Sequence, residues 1–135
     1  MNIAPLQLKY YFITELYIKA RTNYDPKRGF DYKIEYLQCD TKFMKKEDNP
    51  LLRQVQFTIN CNPPVDANIP YEFKITVVGF FHIDKTWPLS RREELVHFNG
   101  LAILYSTARE IIATATSRGP WPQIILPSVN FLPKK

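Results

Sequence analysis

Glycine is scarce in this chain, with four residues among 135, and none falls in a GxGxxG or P-loop spacing. The common phosphate-cradling loops are thereby excluded, because they need several glycines to bring backbone N–H groups against a ligand. Cysteine is limited to Cys39 and Cys61. Neither sits in a CxxC pair or near a histidine, so no zinc or redox motif is signalled, and a buried, reduced thiol is expected at each. The two histidines, His82 and His97, accompany no nucleophile, and Glu94 and His97 do not form an HExxH frame. Ser106 lacks the glycine-flanked elbow of a nucleophilic serine. The adjacent acids Glu47-Asp48 and Glu93-Glu94 lie in charged stretches that read as solvated surface. No catalytic residue, cofactor or metal is expected, and the protein does not read as an enzyme.

Long runs are missing too. No apolar stretch reaches membrane-spanning length, and the N-terminus MNIAPLQLKYYFITEL has neither a basic n-region nor a cleavage site. Membrane insertion is not expected, and with the free thiols this points to the cytoplasm. The net charge of +5 invites an acidic partner, yet the densest basic groups are no more than pairs, such as Lys45-Lys46, Arg91-Arg92 and Lys134-Lys135. Aromatic residues alternate with lysine in LKYYF, FDYKIEY and YEFK, which suits base stacking, but strand propensity explains the same pattern. Nucleic acid is therefore an unfavoured partner.

What the chain has is aromatic and aliphatic bulk in regular phases: 45% hydrophobic and 14% aromatic residues, enough for one domain spanning residues 1–135. From Leu6 to Arg21, the residues Leu6, Leu8, Tyr10, Phe12, Leu16 and Ile18 occupy one face of an expected strand, while Tyr11, Ile13 and Tyr17 interrupt the other. A second strand is expected in YKIEYLQCDTKFM, with a change of phase between Tyr32, Ile34, Tyr36 and Leu37, Cys39, Phe43 that suggests a bulge or a strand covered on both faces. Val55, Phe57, Ile59 and Cys61 alternate cleanly in a third. Tyr71, Phe73, Ile75, Val77, Phe81 and Ile83 share a face of a fourth, with Val78 and Phe80 opposite. The loops NYDPKRG, KKEDNP and NPPVDANIP separate them.

The period then changes to that of a helix. Leu101, Leu104, Tyr105, Ala108, Ile111, Ile112 and Ala115 form one stripe, with Asn99 the expected N-cap and Gly119 the expected stop. A neighbouring row of Ala102, Ser106, Arg109, Ala113 and Thr116 is small apart from the arginine, and is expected to pack against a helix of another subunit. Trp87 and Trp121, each beside proline, read equally as core plugs or as parts of an apolar groove.

The elements Ile103-Leu104-Tyr105, Ala108-Arg109-Glu110, Ser117-Arg118-Gly119 and Leu126-Pro127-Ser128-Val129-Asn130-Phe131 resemble the C-terminal signature of the SecB family of protein-export chaperones. GFFHI is similar to the end of that family's fourth strand. The resemblance implies an α+β fold, a four-stranded antiparallel Greek-key sheet followed by one long helix and a short C-terminal apolar strip. It also implies an ATP-independent holdase for non-native polypeptides, a role in protein transport and export, and a homo-oligomer, dimer or tetramer, assembled through the helix. Residues able to wall a client groove are then Tyr11, Ile13, Tyr17, Leu37, Phe43, Val78, Phe80, Trp87 and Trp121. The chain departs from the family in its Tyr105-Ser106-Thr107 segment, its basic charge, and the stop at Lys135 in place of a second helix. The charge argues against docking to SecA. The alternatives are a dedicated SecB-like chaperone of one partner, such as an antitoxin, and a nucleic-acid-binding module.

Overall fold

Alternation of period two becomes four antiparallel strands, and the change to helical period becomes one helical run behind them. A computed structural model describes residues 1–30 and 33–131; Tyr32, expected in the second strand, and Lys134-Lys135 lie outside the described residues. The strands are β1 (Leu6–Ala20), β2 (Leu37–Lys45), β3 (Leu52–Cys61) and β4 (Tyr71–Ile83), in the spatial order β1-β4-β3-β2. Strands β2, β3 and β4 form a meander, and β1 lies beside the last of them, which is the expected Greek key. The change of phase before Leu37 is not a bulge. Ile34–Tyr36 form a 3₁₀ turn, and the strand begins only after it.

The core lies on one face of β3 and β4. Val55, Phe57, Ile59 and Cys61 pack there with Tyr71, Phe73, Ile75, Val77, Phe81 and Ile83, each almost fully enclosed. The opposite, outer face of β3 carries Gln54, Gln56, Thr58 and Asn60, and Thr58 and Thr76 hydrogen-bond across it at 2.8 Å.

The helix begins earlier than its expected cap. Helical backbone starts at Leu89 and runs through α1 (Arg92–Leu95), a wide π-type turn (Val96–Gly100) and α2 (Leu101–Thr116), so Asn99 lies inside the run rather than capping it. The wide turn has a packing reason. Leu95 and Val96 are buried, and so are Gly100 and Leu101, five positions on. In a regular α-helix that spacing would swing the second pair about 140° away from the sheet. The extra residue of the turn keeps both pairs on the core. Ahead of the turn, α1 is tied to the sheet, where Arg53 on β3 donates to the Pro50 carbonyl and meets Glu93 of α1 at 2.8 Å.

Gly79 of β4 lets the helix come close, since a Cβ there would stand 2.7 Å from the Leu104 side chain. Beyond Thr116 the chain folds back along α2. Ile124 and Leu126 are fully buried, Ile124 N–H donates to Thr116 Oγ1, and the Tyr105 hydroxyl donates to the Pro127 carbonyl. Phe131 then packs edge-on against Phe57 and Tyr105.

Candidate functional site

Strand β1 is an edge strand, and two bulges make it apolar on both faces. Its register against β4 shifts between Leu8 and Tyr10 and again between Ile13 and Glu15, leaving Lys9 and Thr14 as extra residues. Each insertion flips the side chains that follow, because the side-chain period of a strand is two. Leu6 and Leu8 face the core, as expected. Tyr10 and Phe12, expected beside them, lie instead on the outer face opposite Phe80 and Val78, and Tyr11 and Ile13 lie on the helix side opposite Gly79 and Val77. The second bulge restores the original phase for Leu16, Ile18 and Ala20.

The helix sits over β3 and β4 and leaves much of β1 uncovered. Tyr10, Tyr11, Phe12, Ile13, Leu16 and Tyr17 are between 37% and 57% exposed. Of the expected groove residues, Tyr11, Ile13 and Tyr17 belong to this strand. Tyr17 is on the outer face and donates to Glu72 Oε1 at 2.9 Å, and that hydrogen bond is the main reason its hydroxyl titrates above the usual tyrosine range. Phe80 is half-buried beneath this surface. Val78 is not available there: at 3% exposure, flanked by Phe12 and Gln56 on the adjoining strands, it offers almost no surface.

The remaining expected residues lie apart. Phe43, near the end of β2, is exposed on the helix side and stacks on His97 of the wide turn at 5.1 Å. Together with Phe98, Arg53 and Glu93 these residues line an open cleft of about 470 Å³. Leu37, at the other end of β2, is half-buried against the core. Trp87 also packs on the core, with the Arg91 guanidinium 4.9 Å over its ring. Trp121 is committed internally, its indole N–H donating to the Arg21 carbonyl and its ring 5.2 Å from Tyr24. The structure thus brings the β1 and β4 residues together and leaves the tryptophans out.

Sequence periodicity missed Tyr10, Phe12, Leu16 and Met44 as surface residues. All four are exposed. The first three share the phase of Leu6 and Leu8, and the one signal against burying them is the crowding of apolar residues on both phases of the strand.

The small-residue row of α2 faces away from the sheet. Ala102 and Ser106 are exposed, Arg109 and Ala113 are half-buried, and Ile125 of the returning chain lies beside Ala113. Thr116, expected in the same row, is instead fully buried, its hydroxyl donating to the Ile112 carbonyl and accepting from Ile124 N–H. Among the described residues, no group of three His, Cys, Asp or Glu side chains could hold a metal ion, and no helix is long and apolar enough to cross a membrane. Of the two cysteines, Cys61 is buried as expected, but Cys39 is exposed because β2 is the other edge of the sheet.

Comparison with known proteins fits this geometry. The profile of the family SecB, preprotein translocase subunit SecB, matches residues 26–133. An uncharacterized protein of Methanocaldococcus jannaschii is 24% identical over 94 residues, covering 70% of this chain, and the match spans only 59% of that protein's length. The Mycobacterium tuberculosis SecB-like chaperone Rv1957, solved in complex with a ChAD peptide from the HigA1 antitoxin, superimposes with a TM-score of 0.66 at 12% identity, covering 93% of this chain and 88% of that one. That likeness is one of fold.

Proposed function

Because this chain belongs to the SecB family, we propose that it is a chaperone that holds extended, non-native polypeptide on apolar surface, without nucleotide. One observation carries the proposal. A long edge strand exposes six large apolar side chains on its two faces, from Tyr10 to Tyr17, where a soluble monomer normally guards its edges with charge. Such a strand offers a client both unpaired backbone groups and alternating apolar contacts. Each square ångström of apolar surface covered contributes about 25 cal/mol, so many weak contacts add up without regard to client sequence.

The reading is tested by diluting a denatured model substrate into buffer and following light scattering. Wild-type protein is expected to suppress aggregation without ATP. A Tyr11→Glu/Leu16→Glu variant, altered only at exposed positions on the helix side of β1, should protect much less while keeping its thermal midpoint. Equal aggregation with and without wild-type protein would overturn the general holdase reading.

A second reading is a dedicated chaperone of one partner, such as an antitoxin. Support comes from the near-complete superposition on a SecB-like chaperone solved with an antitoxin peptide. This reading expects no protection of a model substrate but tight binding of one peptide. A role in protein export belongs with the first reading. Assembly into a dimer or tetramer is part of both, with the row Ala102, Ser106, Arg109 and Ala113 as the proposed contact.

A further inference from the structure

The first bulge of β1 builds a second feature on the outer face of the sheet. It turns Tyr10 over Phe80, and the two rings stack with centroids 4.4 Å apart and planes within 14° of each other. With Met44 from β2, these rings floor an open cleft of about 510 Å³ bordered by Lys9, Lys46 and Lys45, the last at the strand end and shared with the helix-side cleft that holds Glu93 and Glu94. No carboxylate lines this cleft. The ion pairs among the described residues, Arg53–Glu93 and Lys74–Glu15, leave its three ammonium groups without an anionic partner.

We propose that this cleft binds a segment of extended polypeptide in which an aromatic or aliphatic anchor is flanked by aspartate or glutamate. The inference rests on the polypeptide-binding reading above and gives it a charge preference. The apolar floor supplies burial for the anchor, and the lysines supply partners for acids on either side of it. A second copy of this chain does not suit the cleft, since the same faces brought together would set the lysines against each other. Nucleic acid does not suit it either. The outer face continues directly into a polar stretch in which Glu15 is paired with Lys74 and Asp40 leaves a net negative charge, which disfavours a phosphate backbone crossing the sheet. The basic groups form a compact rim rather than a track.

The test is fluorescence anisotropy with short synthetic probes on the full chain: a peptide with Trp and Leu anchors among Asp and Glu, the same peptide with Lys in place of the acids, an uncharged apolar peptide, and an oligothymidylate. The acidic apolar peptide is expected to bind about tenfold more tightly than its lysine counterpart at moderate salt. Lys45→Glu/Lys46→Glu should remove that preference, and Lys9→Glu should weaken it independently, with circular dichroism confirming that both variants fold. Equal affinity for the acidic and basic peptides would overturn the inference. So would an unchanged preference in both variants, or displacement of the acidic peptide by the oligonucleotide. If the uncharged peptide binds but the charge preference is absent, this inference falls and the chaperone reading stands. If no peptide binds, this inference and the general holdase reading both fall.

Discussion

The hydroxyl of Tyr71 occupies the place a side chain at Gly119 would need. A Cβ on residue 119 would lie 2.0 Å from Tyr71 Oη. Gly119 has no positive φ, so the glycine is there for close approach and not for a left-handed helix stop. Its absent side chain lets the Tyr71 hydroxyl accept from Trp121 N–H at 3.0 Å, which anchors the start of the returning strip on β4.

Gly119→Ala is accordingly expected to lower stability by about 2–4 kcal/mol, through overpacking and the displaced hydrogen bond. Denaturant unfolding measures this. Tyr71→Phe alone should cost roughly 1 kcal/mol. In the Gly119→Ala/Tyr71→Phe double variant the two losses should fall short of their sum, since the phenylalanine lacks the oxygen at 2.0 Å and keeps only the milder ring-carbon contacts at 2.8 and 2.9 Å. Simple additivity would show that the two residues do not share this space.

The small-residue row on α2 is testable by sedimentation. Ala102 is the better position to change, because Ala113 is half-buried beside Ile125 and its carbonyl accepts from Gln123 Nε2. Ala102→Arg is expected to shift an oligomer toward monomer at the same protein concentration while leaving the unfolding transition of the monomer within about 0.5 kcal/mol. A wild-type protein that sediments as a monomer would remove the basis for this contact.

The two thiols should behave differently. Cys39 on the exposed edge is expected to react with a thiol reagent in the native state, and Cys61 only after unfolding. Burial pushes the Cys61 thiol from 9.0 up to about 11, with the Arg21 charge acting in the opposite sense and Glu72 adding to the rise. A folded-state value above the unfolded one means that this contribution is complete below pH 9 and is lost as pH rises through 11. Its size is roughly 2–3 kcal/mol. Urea unfolding of wild type between pH 8.5 and about 11 should therefore fall more steeply than that of Cys61→Ala. Parallel pH profiles would refute the assignment.

Local chemistry made much of this fold legible. The alternation of Val55, Phe57, Ile59 and Cys61 against Gln54, Gln56, Thr58 and Asn60 marks β3 because one face must be buried and the other not. The stripe Leu101, Leu104, Tyr105, Ala108 and Ile112 marks α2 for the same reason at helical period. Both elements lie where one partner surface sets the pattern, so period alone locates them. The exposed groove residues were legible only as a surplus. Tyr11, Ile13 and Tyr17 stood out for being apolar in the wrong phase, while Tyr10, Phe12 and Leu16 were hidden in the right one.

What sequence alone determined, then, was the kind and order of the elements, because burial on one face imposes a period that each segment carries within itself. Tertiary structure decided which residues those faces present. The bulges at Lys9 and Thr14 exist only in the pairing of β1 with β4, and the wide turn at Val96–Gly100 only in the need to keep two buried pairs on one sheet. The approach of Gly119 to Tyr71 joins positions 48 residues apart. Each is a relationship between segments, and no single segment's pattern contains it. The aromatic cleft under Lys9, Lys45 and Lys46 follows from the first of them, because one inserted residue puts Tyr10 on Phe80 instead of in the core.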